Sequence, residues 1–197
     1  TIKMVKFYKA SIQSFEYFSK KIIILFLLTL AVSVTVKSQN VNVTATIGTA
    51  AASYNTLKKA FDEINAGTHK GVITINIALS TDEGITPAVL NSNSADPASY
   101  SSIYIKPSTT NIVVTGNPAA GFGVIELNGA DNVTIDGSFN GTSSRDLTIN
   151  NTGTSTNLAN SCIRVATSAL VSSADDITIK NCILNGNVTS GNAPGIT

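Results

Sequence analysis

Tryptophan is absent from this chain of 197 residues, and histidine and methionine occur once each. Aromatic residues make up 6% of the chain and charged residues 13%, too few of either for a charge-laced helical bundle. One histidine, His69, and two cysteines twenty residues apart, Cys162 and Cys182, leave no ligand set at zinc-site spacing. We expect no metal and no cofactor. The cysteines read as two small side chains in the interior; an exported chain could oxidise them if they lay at equivalent places on neighbouring strands. No Ser, His and Asp set for nucleophilic catalysis can be assembled, and no glycine-rich phosphate loop follows a strand. No catalytic residue is assigned.

The net charge of +1 hides a division. Six of the thirteen basic residues (Lys3, Lys6, Lys9, Lys20, Lys21 and Lys37) fall in the first 38 positions, opposed only by Glu16. From Gln39 onward seven basic residues face eleven acidic ones, a balance of −4. That excludes the basic face nucleic acid requires. Lys20-Lys21 precedes fifteen uncharged residues, Ile22 to Val36, and then Lys37-Ser38-Gln39. A basic segment, a short apolar segment and small residues before a cleavage point mark a secretory signal peptide, with cleavage after Ser38. Fifteen residues fall short of the ~20 a spanning helix needs, so no membrane association is expected after cleavage. Met4 reads as a natural start, and the ending at Gly195-Ile196-Thr197 as that of a fragment.

Asn, Thr, Ser, Gly and Ile are abundant, and one phrase recurs. Asp131-Asn132-Val133-Thr134-Ile135-Asp136-Gly137 is followed by Arg145-Asp146-Leu147-Thr148-Ile149-Asn150-Asn151 and by Asp175-Asp176-Ile177-Thr178-Ile179-Lys180-Asn181. Thr110-Asn111-Ile112-Val113-Val114-Thr115-Gly116 is a looser copy. Each alternates apolar and polar residues, favours β-branched side chains and stops at a turn former, so each predicts a short strand. A repeated strand-and-turn unit cannot bury its apolar face alone, which predicts a solenoid. Gly137, Asn151 and Asn181 end their copies at the same place and read as structural corners.

Ahead of the repeats, Val41 to Ile47 alternates as a strand, and Gly48 to Ser53 reads as a turn. Leu57, Ala60, Phe61 and Ile64 take the i, i+3, i+4, i+7 positions of a helix over Asn55 to Ala66, with Asn55 or Thr56 as its cap. Ile73, Ile75, Ile77 and Leu79 share one face of a strand. The helix is expected to cover the open end of the β-structure. Ser80 to Ser102 is polar and reads as an excursion with a short strand at Ala88 to Leu90; further strands follow at Ile103 to Ile105, Val124 to Leu127, Ile163 to Val165 and Cys182 to Leu184.

The run Tyr54-Asn55-Thr56-Leu57-Lys58-Lys59-Ala60-Phe61-Asp62-Glu63-Ile64-Asn65-Ala66-Gly67-Thr68-His69-Lys70-Gly71, the following Ile-alternating strand, Ile125 to Gly137 and Ile179-Lys180-Asn181-Cys182 together resemble the N-terminal region of secreted β-helix proteins of Bacteroidetes type. The resemblance implies a right-handed, pectin-lyase-like parallel β-helix, export by type IX secretion and display at the cell surface. Enzymes of similar layout set a test. Polygalacturonases use clustered aspartates and Gly-His-Gly, but Asp175 and Asp176 precede a strand where turn residues sit in the other copies, and neighbours on an extended chain point apart. His69 lies in the loop after the helix and reads as solvated. Pectate lyases need a calcium cluster and an arginine base. Arg145 and Arg164 lie in no acidic cluster, and Asp131 with Asp136 supplies too few oxygens for Ca²⁺.

The expected fold is therefore all-β, a right-handed parallel β-helix with an N-terminal amphipathic capping helix behind a signal peptide. Its parts would be 1–38 (signal peptide and extension), 39–79 (strand, capping helix and first rung) and 80–197 (further rungs). The expected function is that of a non-catalytic, monomeric, secreted or cell-surface adhesin-like segment that binds polysaccharide or surface glycans. The alternative is the N-terminal part of a polysaccharide lyase or glycoside hydrolase whose catalytic rungs lie beyond residue 197.

Overall fold

The structure, a computed structural model, describes residues 17, 19–21, 39–154, 161–167 and 173–186. The chain divides into two units, Thr1–Lys37 and Ser38–Thr197. In the first, Tyr17 and residues 19–21 are helical, and the Lys21 ammonium lies 4.6 Å from the centre of the Tyr17 ring. The apolar stretch Ile22 to Val36, the cleavage position after Ser38 and the chain end at Thr197 lie outside the described residues. No helix among the described residues is long and apolar enough to cross a membrane.

The second unit begins with β1 (Val41–Gly48), β2 (Ala51–Tyr54), helix α1 (Leu57–Asn65) and β3 (His69–Ile77). There follow β4 (Thr81–Asp82), β5 (Ala88–Asn91), β6 (Tyr100–Pro107), β7 (Ile112–Gly116) and β8 (Gly123–Asn128). The last are β9 (Val133–Asp136), β10 (Leu147–Asn151), β11 (Ser161–Ala166), β12 (Ile177–Lys180) and β13 (Cys182–Gly186). They form a six-stranded sheet in the order β12-β9-β6-β3-β1-β2, a four-stranded sheet β13-β10-β7-β4 and a three-stranded sheet β11-β8-β5. From β3 onward every pair is parallel, whereas β1 pairs antiparallel with both β2 and β3.

This corrects the fold expectation. The described residues make a mixed α/β fold with several parallel sheets, and no β-helix or other solenoid is found in it. Two features set it apart from an all-β repeat. The six-stranded sheet changes direction at β1, and α1 belongs to the core: Leu57, Ala60, Phe61 and Ile64 are fully buried in one cluster with Ile73, Ile75, Leu90 and Ile105. The periodicity of Ile and Val placed the interior correctly, because alternate residues of a strand face opposite sides. Ile103, Ile105, Val133, Ile135, Leu147 and Ile149 are buried.

The four copies of the phrase divide between two sheets. Ile177 pairs with Val133 in the large sheet, and Leu147 pairs with Ile112 in the four-stranded one. Left-handed backbone occurs at the residue before the strand, at Asn111, Asn132 and Asp176, and at Asn181. Asn tolerates that region because its short amide can bond locally. Gly137 is needed for another reason: a Cβ there would lie 2.1 Å from the Asn181 carbonyl oxygen. Asn151 closes its strand through its side chain, donating to the Ser161 carbonyl at 2.8 Å and accepting from the Gly153 amide at 2.9 Å.

Some local expectations change. The region expected to be a turn over Gly48 to Ser53 gives its second half to β2, and Leu79 is 52% exposed rather than aligned with Ile77. Thr56 is the helix cap, its hydroxyl accepting from the Lys59 amide at 3.1 Å. Glu83 completes the helix start by accepting from the amides of Leu57 (3.1 Å) and Lys58 (2.7 Å), so a distant carboxylate meets the positive end of the helix. At the other end of α1, Asn65 behaves as a peptide group. It donates to the Val89 carbonyl (2.8 Å) and accepts from the Asn91 amide (3.0 Å), which satisfies the free edge of β5.

Candidate ligand-binding face

Along the large sheet the residues that do not face the core form aligned columns. Thr44, Thr74, Tyr104, Thr134 and Thr178 are register partners across β1, β3, β6, β9 and β12. Beside them Asn42 pairs with Asn76, and Asn76 with Lys106. Strands repeat about every 4.8 Å, so the column sets hydroxyls at that interval with one aromatic ring in the middle. All five residues are half-buried or exposed, while their neighbours Ile73, Ile75, Ile103, Ile105, Val133 and Ile135 are buried.

The ring is anchored. Tyr104 donates its hydroxyl to Asp136 Oδ2 at 2.9 Å. Asp136 is 1% exposed and accepts from the Ser138 amide (3.0 Å), the Ser138 hydroxyl (2.7 Å) and the Asn181 amide nitrogen (2.9 Å), with Lys180 Nζ 3.1 Å away. Burial alone would raise its pKa; the donors on Asn181, Ser138 and Tyr104 outweigh that and hold the carboxyl well below its usual range. Burial, followed by the bond to Asp136, pushes the Tyr104 hydroxyl up. Asp136 is thus a fixed, fully occupied anion that orients Tyr104.

The other residues singled out by the sequence are dispersed. Asp131 accepts the Asp175 amide at 2.8 Å, and Asp176 sits in the left-handed turn before β12. Both are turn residues joining neighbouring copies. Arg145 is exposed in the connection before β10. Arg164, by contrast, does find an acid: it pairs with Glu126, its register partner, through Nη2 at 2.5 Å and Nε at 3.0 Å, and lies 5.2 Å from the Phe122 ring centre. Glu126 also accepts from the Gly123 amide. Among the described residues, no three His, Cys, Asp or Glu side chains are grouped to hold a metal ion.

His69 corrects the expectation of a solvated loop residue. It is fully buried at the start of β3, with Nδ1 2.6 Å from the Thr49 carbonyl and Nε2 2.7 Å from the Tyr54 hydroxyl. A carbonyl only accepts, so Nδ1 donates to Thr49, and in the neutral ring Nε2 then accepts from the Tyr54 hydroxyl. The ring locks the β1–β2 hairpin to β3. Cys162 in β11 and Cys182 in β13 lie in different sheets as free thiols. Burial pushes the Cys182 thiol up to about 11.

Sequence reasoning missed Tyr104, Glu83 and Glu126. Tyr104 carried a signal, being the one aromatic in a polar position of an otherwise Thr-bearing strand pattern. No family model, no curated protein and no solved structure matches the chain.

Proposed function

We propose that this chain is a non-catalytic binding scaffold of the adhesin-like class, exported and displayed at the cell surface, whose large-sheet face recognises extracellular glycans. The observation that supports it is the column of Thr44, Thr74, Tyr104, Thr134 and Thr178, with the central ring held by Asp136. Sugars offer hydroxyls for hydrogen bonding and an apolar ring face for stacking. Threonine and asparagine side chains supply both donors and acceptors, and a tyrosine ring supplies the platform. Export and surface display come from the signal-like N-terminus and the resemblance to secreted Bacteroidetes-type proteins.

Binding of the purified chain to a panel of immobilised neutral and acidic polysaccharides tests the proposal. Tyr104→Ala is expected to weaken retention about tenfold, or about 1.4 kcal/mol. Tyr104→Phe, which keeps the ring but frees it from Asp136, should weaken it less. Retention by no polysaccharide, or equal retention by wild type and Tyr104→Ala at equal melting temperature, sinks the reading.

A further inference from the structure

The connection between β9 and β10 carries a chemical feature independent of glycan binding. Asn140-Gly141 is exposed, and Gly141 has φ +73° with nothing within 4 Å of where a Cβ would stand. The Gly141 amide has no hydrogen-bond partner among the described residues. The Asn140 side-chain oxygen is crowded with donors: the Thr142 amide (3.1 Å), the Thr142 hydroxyl (2.7 Å) and the Ser144 hydroxyl (2.9 Å). Ser144 has one hydrogen to share between Asn140 and Asp146 Oδ2, which lies at 2.5 Å, so the two Thr142 donors are the constant ones.

We infer that Asn140-Gly141 is a self-modifying site, at which the folded loop promotes conversion of Asn140 to aspartate and isoaspartate. The Gly141 nitrogen loses its proton and attacks Cγ of Asn140. Negative charge develops on Oδ1, where the Thr142 amide and hydroxyl already point, the arrangement that stabilises an oxyanion. The oxygen reforms its double bond, the Cγ–Nδ2 bond breaks, and ammonia leaves with the transferred proton. Water then opens the succinimide at either carbonyl. Water is the only co-reactant.

Two other Asn-Gly pairs are built-in controls. At Asn128-Gly129 the Gly129 amide donates to the Ala166 carbonyl at 2.6 Å, which occupies the nucleophile. Asn185-Gly186 is exposed in β13 but has no donor on its Asn185 oxygen among the described residues. The modification also bears on the loop. A carboxylate at position 140 would share Ser144 with Asp146, and the loop holds Asn181 through the Thr142 carbonyl (3.2 Å). The added charge is expected to weaken the loop's hold on Asn181, which donates to Asp136.

The test is peptide mapping of the intact chain after incubation at mildly alkaline pH, reading the amide-to-acid mass gain and isoaspartate labelling at each pair, with a urea-unfolded sample alongside. Asn140 should convert several-fold faster folded than unfolded, and faster than Asn128 and Asn185 in the folded chain. Thr142→Val should slow it several-fold while leaving Asn185 unchanged. Conversion of Asn140 that is equal or slower in the folded chain, or unaltered by Thr142→Val, overturns the proposal.

Discussion

The three sheets begin and end differently. At the β2, β4 and β5 side each edge is met by something outside the repeat. β1 and β2 extend the large sheet antiparallel, Asn65 of α1 pairs with β5, and Glu83, just after β4, caps α1. At the other side β12, β13 and β11 are the last strands of their sheets among the described residues. Ile135 and Ile149 are fully buried, yet their register partners Ile179 and Leu184 are only partly so. Apolar side chains in register within one column thus differ in burial with the place of their strand in the sheet. The comparison teaches that the repeat supplies register and apolar columns, while non-repeating polar side chains finish an edge.

The comparison can be broken first at its apolar columns. Ile135→Asp buries a carboxylate between two occupied neighbours and should destabilise by more than about 4 kcal/mol, abolishing a cooperative melt. Ile179→Asp, in the same column but at the edge, should lower stability by about 1–2 kcal/mol and leave cooperativity intact. Equal effects in thermal unfolding would show that edge and interior do not differ.

The polar anchor Asp136 comes next. Its folded pKa is depressed, so its stabilisation is complete above the unfolded value near pH 4 and is lost as pH falls through the lowered folded value. Asp136→Asn should cost about 2–4 kcal/mol at neutral pH, and the gap between wild type and variant should narrow progressively below about pH 4 in denaturant titrations. A gap constant with pH would contradict the geometry. On the other side of the comparison, Glu83→Ala leaves two helix amides unpaired and should lower stability by about 1–3 kcal/mol, with helical loss visible by circular dichroism. The smallest effect has the opposite sign. Thr81 is 4% exposed and its hydroxyl has no partner among the described residues, so Thr81→Val should raise stability by about 1 kcal/mol in the same assay.

Much of this was legible because alternation of apolar residues survives any tertiary arrangement. Val133, Ile135, Leu147, Ile149 and the helical set Leu57, Ala60, Phe61 and Ile64 were all assigned to the interior and are there. Strand direction was not legible. Nothing in Val41 to Ile47 says whether it runs with or against Ile73 to Ile77, and the antiparallel pairing found there, together with a core helix, is where the all-β reading failed. His69 was misread for a similar reason: a loop-like setting in sequence says nothing about a carbonyl at Thr49 and a hydroxyl at Tyr54 brought in by the hairpin. The binding face was half legible. Its threonines were visible as the polar positions of the phrase, but their alignment with Tyr104 depends on a register that skips from β3 to β6 to β9.

The near-contact between Gly137 and Asn181 reaches beyond local geometry. A methyl group at 137 would collide with main chain rather than with a movable side chain, so no rotamer change at 181 can relieve it. The two positions, 44 residues apart, therefore behave as one genetic locus. Any side chain at 137 is admissible only with a rebuilt corner at 181, and that corner also holds Asp136. A substitution at one small, chemically inert residue would in this way reach the tyrosine platform without touching it.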